Sequence, residues 1–166
     1  MLKIGMIGAG FVAGFHERAL CSVRGVEFAG VFAPVGAEAL AERARQDGLG
    51  QTRVFESIAE LCAAVDVVCI FAPNYVRIDI MRGIAKAIEG GAEIKGIICE
   101  KPLAQTLEQG QAIMDAVQKA GVTMIVGHVV RFFPAYTNAR NVMLNGQIGN
   151  PGMIRTSRIS TMPGGQ

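Results

Sequence analysis

Short apolar runs alternate with amphipathic stretches from the first residues onward. The run over 2–7 is apolar apart from Lys3 and ends at glycines, the profile of a strand buried on both faces of a parallel sheet. The spacing of Val12, Phe15, Ala19 and Val23 predicts a helix over 11–24 with those four on its packed stripe. A second apolar run predicts a strand over 26–33. Residues 37–47 are rich in Ala, Glu and Arg, all good helix formers, and Gly48 is the natural stop.

The alternation continues. Val54-Phe55 reads as a minimal third strand. Ser57 and Glu60 form a capping box, in which the Ser hydroxyl accepts from the Glu N–H and the Glu reaches back to the Ser N–H, opening a short helix. A strand over 65–71 is interrupted only by Asp66. A helix over 75–89 places Val76, Ile80, Ile84 and Ile88 on one stripe, with Asn74 as N-cap and Gly90-Gly91 as terminator. A strand follows over 96–99. Thr106 and Gln109 open a helix with Leu107, Gly110, Met114 and Val117 on one face, and a strand over 122–126 comes after Gly121. Strand and helix thus repeat about five times before a last strand, which defines an α/β fold with a doubly wound parallel sheet.

Beyond Gly127 the pattern changes. Residues 128–133 lead to Pro134, suited to the first position of a helix that runs to about residue 144. A turn-rich stretch and a predicted strand over 153–161 follow. One helix and one strand cannot bury their own apolar faces as a domain. The chain therefore divides into a sheet domain, 1–127, and the opening helix and strand of an incomplete, truncated second α/β domain, 128–166. Such an opening leaves apolar surface uncovered, so the expectation is a homo-oligomer or a covering partner.

Composition narrows the class. Of 166 residues 51% are apolar and only 18% charged, which excludes disorder as the main state. Sixteen basic against 14 acidic residues give +2 with no block of like charge, so no nucleic-acid footprint is present. Cys21, Cys62, Cys69 and Cys99 show no CxxC spacing, and two histidines cannot complete a metal cluster. The thiols read as reduced core residues of a cytoplasmic protein. Gly5, Gly8, Gly10 and Gly14 break what would otherwise pass for a secretory leader, and no uncharged apolar run nears the ~20 residues of a membrane span.

The candidate chemistry begins at Gly8-Ala9-Gly10-Phe11-Val12-Ala13, a GxGxxA pattern between a predicted strand and a predicted helix. Gly8 permits a tight turn. Gly10, without a Cβ, lets a pyrophosphate approach the backbone, and Ala13 lets the helix pack close to the strand. The helix start offers unpaired N–H groups and a positive dipole end to phosphates. A carboxylate that reads the NAD ribose is expected at the end of the second strand. Ala33 stands there, and Glu38, the next acid, lies within the following helix. The cofactor choice stays open between NAD and NADP and leans to NADP, although Arg43 and Arg45 lie too far inside the next helix to demand a 2′-phosphate.

Glu100-Lys101-Pro102 follows the predicted strand over 96–99, where open α/β sheets bind ligands. A lysine there can polarise a carbonyl, orient a hydroxyl or share a proton. The same residues also suit a plain Lys–Glu surface pair. With Gly8-Ala9-Gly10, His16, Ala72-Pro73-Asn74, Glu100-Lys101-Pro102-Leu103-Ala104 and Gly127-His128-Val129-Val130-Arg131-Phe132, the chain resembles the glucose–fructose oxidoreductase/inositol dehydrogenase/MocA-type (Gfo/Idh/MocA) family. The resemblance implies a Rossmann domain and hydride transfer between NAD or NADP and a sugar, polyol or related small-molecule substrate. It implies Lys101 as the catalytic residue beside the substrate. It also implies that Pro73 and Asn74 lie along the dinucleotide and that Arg131 approaches the nicotinamide or the substrate. His128 reads equally as a junction contact or a packing residue, and His16 as packing or loop support.

Three departures qualify this. The acid after the second strand is missing, Arg77 stands where the family often has His, and the family's catalytic Asp and His belong to a later segment than these residues. The competing expectations are a non-catalytic dinucleotide-binding module and a scaffold for oligomerisation.

Overall fold

A computed structural model describes residues 1–157 and 159. The chain divides into two units, Met1–Gly127 and the residues from His128 onward. The first unit runs β1 (Leu2–Ile7), α1 (Phe11–Leu20), β2 (Val26–Phe32), α2 (Ala37–Gln46), β3 (Arg53–Val54), α3 (Ile58–Ala64), β4 (Val67–Ile70), α4 (Arg77–Glu89), β5 (Gly96–Glu100), α5 (Leu107–Ala120) and β6 (Thr123–Gly127). A 3₁₀ turn, Asn74–Val76, precedes α4. The sheet order is β3-β2-β1-β4-β5-β6, and every pair is parallel. The order reverses direction between β1 and β4, and the carboxyl edge there is where such sheets form a ligand crevice.

The two-residue period of each strand feeds two cores. Ile4 and Met6 of β1, with Phe28, Val31, Cys69 and Phe71, pack against Ala13 of α1 and against Leu40, Ala41 and Ala44 of α2. Ile7, Val68, Ile70, Ile97 and Cys99 face the other way, onto Leu61, Ile80, Met81, Ile84, Ile113 and Val117 from α3, α4 and α5. Both faces of the central strands are therefore dry, which is why they read as apolar runs without alternation. Gly30 exists for the same reason: a Cβ there would lie 2.2 Å from the Phe55 ring and 2.6 Å from the Arg53 carbonyl oxygen.

Several expectations change on inspection of the helices. α1 ends at Leu20, and its buried positions are Ala13 and Glu17; Val12, Phe15, Ala19 and Val23 are exposed. The small Ala13 is what the close helix–strand contact accepts, and Phe15 instead packs edge-on against Phe11 at 4.8 Å on the outer face. On α5, Ile113 and Val117 are buried, whereas Leu107 and Met114 are exposed. Asn74 provides no side-chain cap, because it is taken up in the 3₁₀ turn and α4 starts three residues later. Ser57 and Thr106 do cap α3 and α5 by accepting from the N–H groups of Glu60 and Gln109. The reciprocal bonds reach one residue further back than expected, to the N–H groups of Glu56 and Gln105.

Asp66, the polar interruption before β4, ties the amino ends of three strands together. Its carboxylate accepts from Lys3 N–H at 2.8 Å and from Lys95 Nζ at 2.5 Å. The backbone bond from Lys3 comes first, with Lys95 second, in holding this carboxyl below its ordinary pKa. In the second unit, Val129–Phe132 form a 3₁₀ turn and Pro134–Leu144 form α6, with Pro134 at the helix start. None of its described residues is buried. Residues 153–157 and 159 form no strand, since no partner strand is available among the described residues; the rest of the expected 153–161 strand lies outside them.

Gly30→Ala should lower the urea-unfolding free energy by about 1–3 kcal/mol, as overpacking does, without changing the far-UV circular dichroism of the folded state. A depressed folded-state pKa means that Asp66 contributes stability above its unfolded pKa and loses it as pH falls through the folded one. Asp66→Asn should therefore be less stable than the parent at pH 7, with the gap closing in acid; a gap that persists below pH ~2 contradicts the tie.

Candidate coenzyme site at the carboxyl edge

The glycine loop is built by backbone packing. The Gly8 N–H donates to the Phe32 carbonyl at the end of β2 at 2.9 Å. Gly8 has φ +104°, and a Cβ there would meet Ala72 N at 2.7 Å and Phe71 C at 2.9 Å. Glycine is thus required twice, for conformation and for space. On the other side of the turn, the N–H groups of Phe71 and Ala72 both donate to the Ile7 carbonyl at 2.8 and 3.1 Å. The ends of β1, β2 and β4 are locked together at this point.

Gly10 differs. A Cβ there would find nothing within 4 Å, so the absence of a side chain leaves open space. Gly10 is the N-cap of α1, and α1 has neither a side-chain cap nor an acid in its first turn. The positive end of its dipole and its first N–H groups are left for a ligand, which fits a diphosphate. Ala9, Gly10 and Phe11 line a cavity of about 320 Å³ with Gly14, Phe15, Arg18 and Arg43. Val12 stands beside them, exposed. Arg43 corrects the sequence expectation: its side chain reaches back from α2 to this cavity, with Nε donating to Glu17 at 2.8 Å. Glu17 is fully buried, and its other oxygen has no hydrogen-bond partner among the described residues. Ala33, just past β2, is half-buried and brings no carboxylate, while Glu38 pairs with Arg45 at 3.2 Å.

A second loop lies at the end of β5. Glu100 is buried, and its carboxylate accepts from the Lys101 N–H at 3.1 Å through Oε2. Oε1 lies 3.0 Å from His16 Nε2, and the His16 ring stacks on Phe71 at 4.2 Å. His16 therefore ties α1 to this loop. The Lys101–Pro102 bond is cis. Glu100 is not the ion-pair partner of Lys101, whose side chain is exposed and enters no ion pair among the described residues. Between the two loops, Ala72 is buried, Pro73 exposed and Asn74 half-buried.

The structure thus gathers Gly8–Val12, Ala33, Ala72–Asn74 and Glu100–Lys101 at the carboxyl ends of β1, β2, β4 and β5. Arg131 belongs to the second unit, where its N–H donates to the His128 carbonyl at 3.1 Å. The buried thiols are not candidate nucleophiles: burial pushes Cys62 up to about 11 and Cys69 up to about 12, and raises Cys99 as well. A larger open groove of about 1010 Å³ runs elsewhere, along α3 and α4; Cys62 lines it, but none of Gly8–Val12, Ala33, Ala72–Asn74 or Glu100–Lys101 does. Glu17 escapes the sequence reading, and Arg77 enters it only as the residue that stands where the family often has His. Arg77 shares helical spacing with the apolar Ile80, Met81 and Ile84, and that misplacement is the signal that could have marked it as buried; Glu17 follows only the small Ala13 on the packed side of α1, which gives no such signal.

This edge defines a dinucleotide-binding unit of the Rossmann type. Residues 2–128 match the model of the oxidoreductase family with an NAD-binding Rossmann fold, Gfo/Idh/MocA. The chain belongs to that family. It is 32% identical over 168 residues to inositol 2-dehydrogenase of Salmonella typhimurium, covering 98% of this chain and 48% of that protein. It is similar to the solved UDP-N-acetylglucosamine 3-dehydrogenase of Acidithiobacillus ferrooxidans, at 25% identity and TM-score 0.71 over 85% of this chain and 43% of that one. The fold is also that of scyllo-inositol dehydrogenase from Lactobacillus casei, solved with NAD(H) and scyllo-inositol, at 20% identity and TM-score 0.74, covering 90% of this chain and 42% of that one. The chain spans less than half the length of these relatives. No helix among the described residues is long and apolar enough to cross a membrane.

Gly8→Ala should destabilise the fold by roughly 1–3 kcal/mol, because the methyl meets backbone rather than a movable side chain. Urea titration checks this, and a change within experimental error would mean that the β1–β4 contact is looser than described.

Proposed function

We propose that this chain supplies the coenzyme site and the reacting lysine of an NAD(P)-dependent oxidoreductase that moves a hydride between nicotinamide and a hydroxyl or carbonyl carbon of a sugar or polyol. The observation that carries this is the uncapped start of α1, open at Gly10, on the same sheet edge as the exposed amine of Lys101. The bound nicotinamide supplies the hydride donor or acceptor. The remaining steps belong to the chain. The first amides of α1, with Ala9, Gly10, Phe11 and Val12, hold the diphosphate. Ala72, Pro73 and Asn74 border the dinucleotide. Glu100 anchors the Lys101 backbone, and the ammonium of Lys101 donates a hydrogen bond that polarises the substrate carbonyl or orients the substrate hydroxyl.

The coenzyme proposed is NADP, with NAD as the alternative. Ala33 places no negative charge against a 2′-phosphate, and Arg18 and Arg43 make the neighbouring cavity cationic. The residues from His128 onward are proposed to open a substrate domain in which Arg131 contributes to the site, and the assembled protein is proposed to be a homo-oligomer.

Titration of NADPH and NADH fluorescence tests the reading. NADPH should bind, and more tightly than NADH. Gly10→Ala should weaken binding about tenfold or more, because its methyl enters the diphosphate space. Its folding stability should change by less than ~1 kcal/mol, since alanine replaces an N-cap glycine in open space. Binding of neither coenzyme defeats the proposal. Binding without turnover on any polyol or aldose, by the protein as it occurs, favours a non-catalytic module instead.

A further inference from the structure

Helix α4 carries an arginine where an apolar residue belongs. Arg77, Ile80, Met81 and Ile84 follow helical spacing, and all four are buried. Arg77 itself is 4% exposed. A guanidinium taken out of water demands acceptors. Among the described residues no carboxylate pairs with it. Its acceptors are backbone carbonyls: Nε donates to Ala72 at 2.9 Å, and Nη1 donates to both Glu100 and Pro102.

The placement of those carbonyls is specific. Ala72 belongs to the loop after β4, whereas Glu100 and Pro102 are the residues immediately before and after Lys101. We propose that Arg77 is a positioning residue: its guanidinium clamps the two loops to each other and fixes the direction in which Lys101 presents its amine to the coenzyme and substrate. This rests on the function proposed above. The planar fork of arginine can serve two loops at once, in one plane, whereas the single ammonium of lysine cannot hold the same three carbonyls in that geometry. Glu100 secures the Lys101 N–H through Oε2. Residue 101 is thereby held at its own amide and at both neighbouring carbonyls, and only its side chain remains free to move.

The test reads the Lys101 amine directly. The full chain and its Arg77→Lys and Arg77→Ala variants, each shown to be folded by circular dichroism, are acylated with an amine-reactive ester. Modification is followed by peptide mass spectrometry, with Lys86 and Lys119 as internal references. In the parent, saturating NADPH should slow Lys101 acylation about threefold or more and leave the references unchanged, because a bound ligand covers the amine. In Arg77→Lys, that protection should fall by at least half at matched coenzyme occupancy, and ethylguanidinium should restore it in Arg77→Ala. Full protection in a folded Arg77→Lys overturns the inference. No protection in the parent overturns the oxidoreductase reading itself, and the inference with it. Should Arg77→Ala lose its fold, Arg77→Lys alone decides.

Discussion

Charged groups withdrawn from water hold the functional edge of this sheet together. Glu17, Arg77 and Glu100 are all buried, and each is bonded to an element other than its own. Glu17 joins α1 to α2, Glu100 joins α1 to the β5 loop, and Arg77 joins the β4 loop to the β5 loop. A buried charge tolerates few arrangements, because any movement that breaks its bonds leaves it unsolvated. Apolar packing gives the two cores their stability. The polar groups give the loops at the carboxyl edge their placement.

That division explains what was legible in the sequence. The strands β1, β4 and β5 are apolar on both faces, so their positions and their parallel pairing follow from composition alone. The capping residues Ser57 and Thr106 were equally plain, since a hydroxyl ahead of a helix has few other uses. The glycine loop was legible because its context, strand before and helix after, restricts what the spacing can mean.

The misses share a cause. Periodicity picks the apolar side of a helix, but α1 turns its small and charged side, Ala13 and Glu17, toward the sheet and leaves Phe11 and Phe15 outside. The close approach selected for size rather than hydrophobicity. The reach of Arg43 to the cavity and the bridge that Arg77 makes to the β5 loop have no local signal, because both act over long sequence separations, through side chains several atoms long. Their partners are backbone carbonyls and one buried carboxylate, which no local pattern announces.

The distribution of thiols has a practical use. Cys62, Cys69 and Cys99 are sealed in the cores, and Cys21 alone is exposed. It caps the carboxyl end of α1, the helix whose opposite end opens on the glycine loop. A dye attached by maleimide chemistry would therefore sit at one defined position, roughly 15 Å from that loop along a rigid rod. Within these 166 residues a single thiol thus serves as the attachment point for energy-transfer or anisotropy work, and the three core cysteines can stay in place.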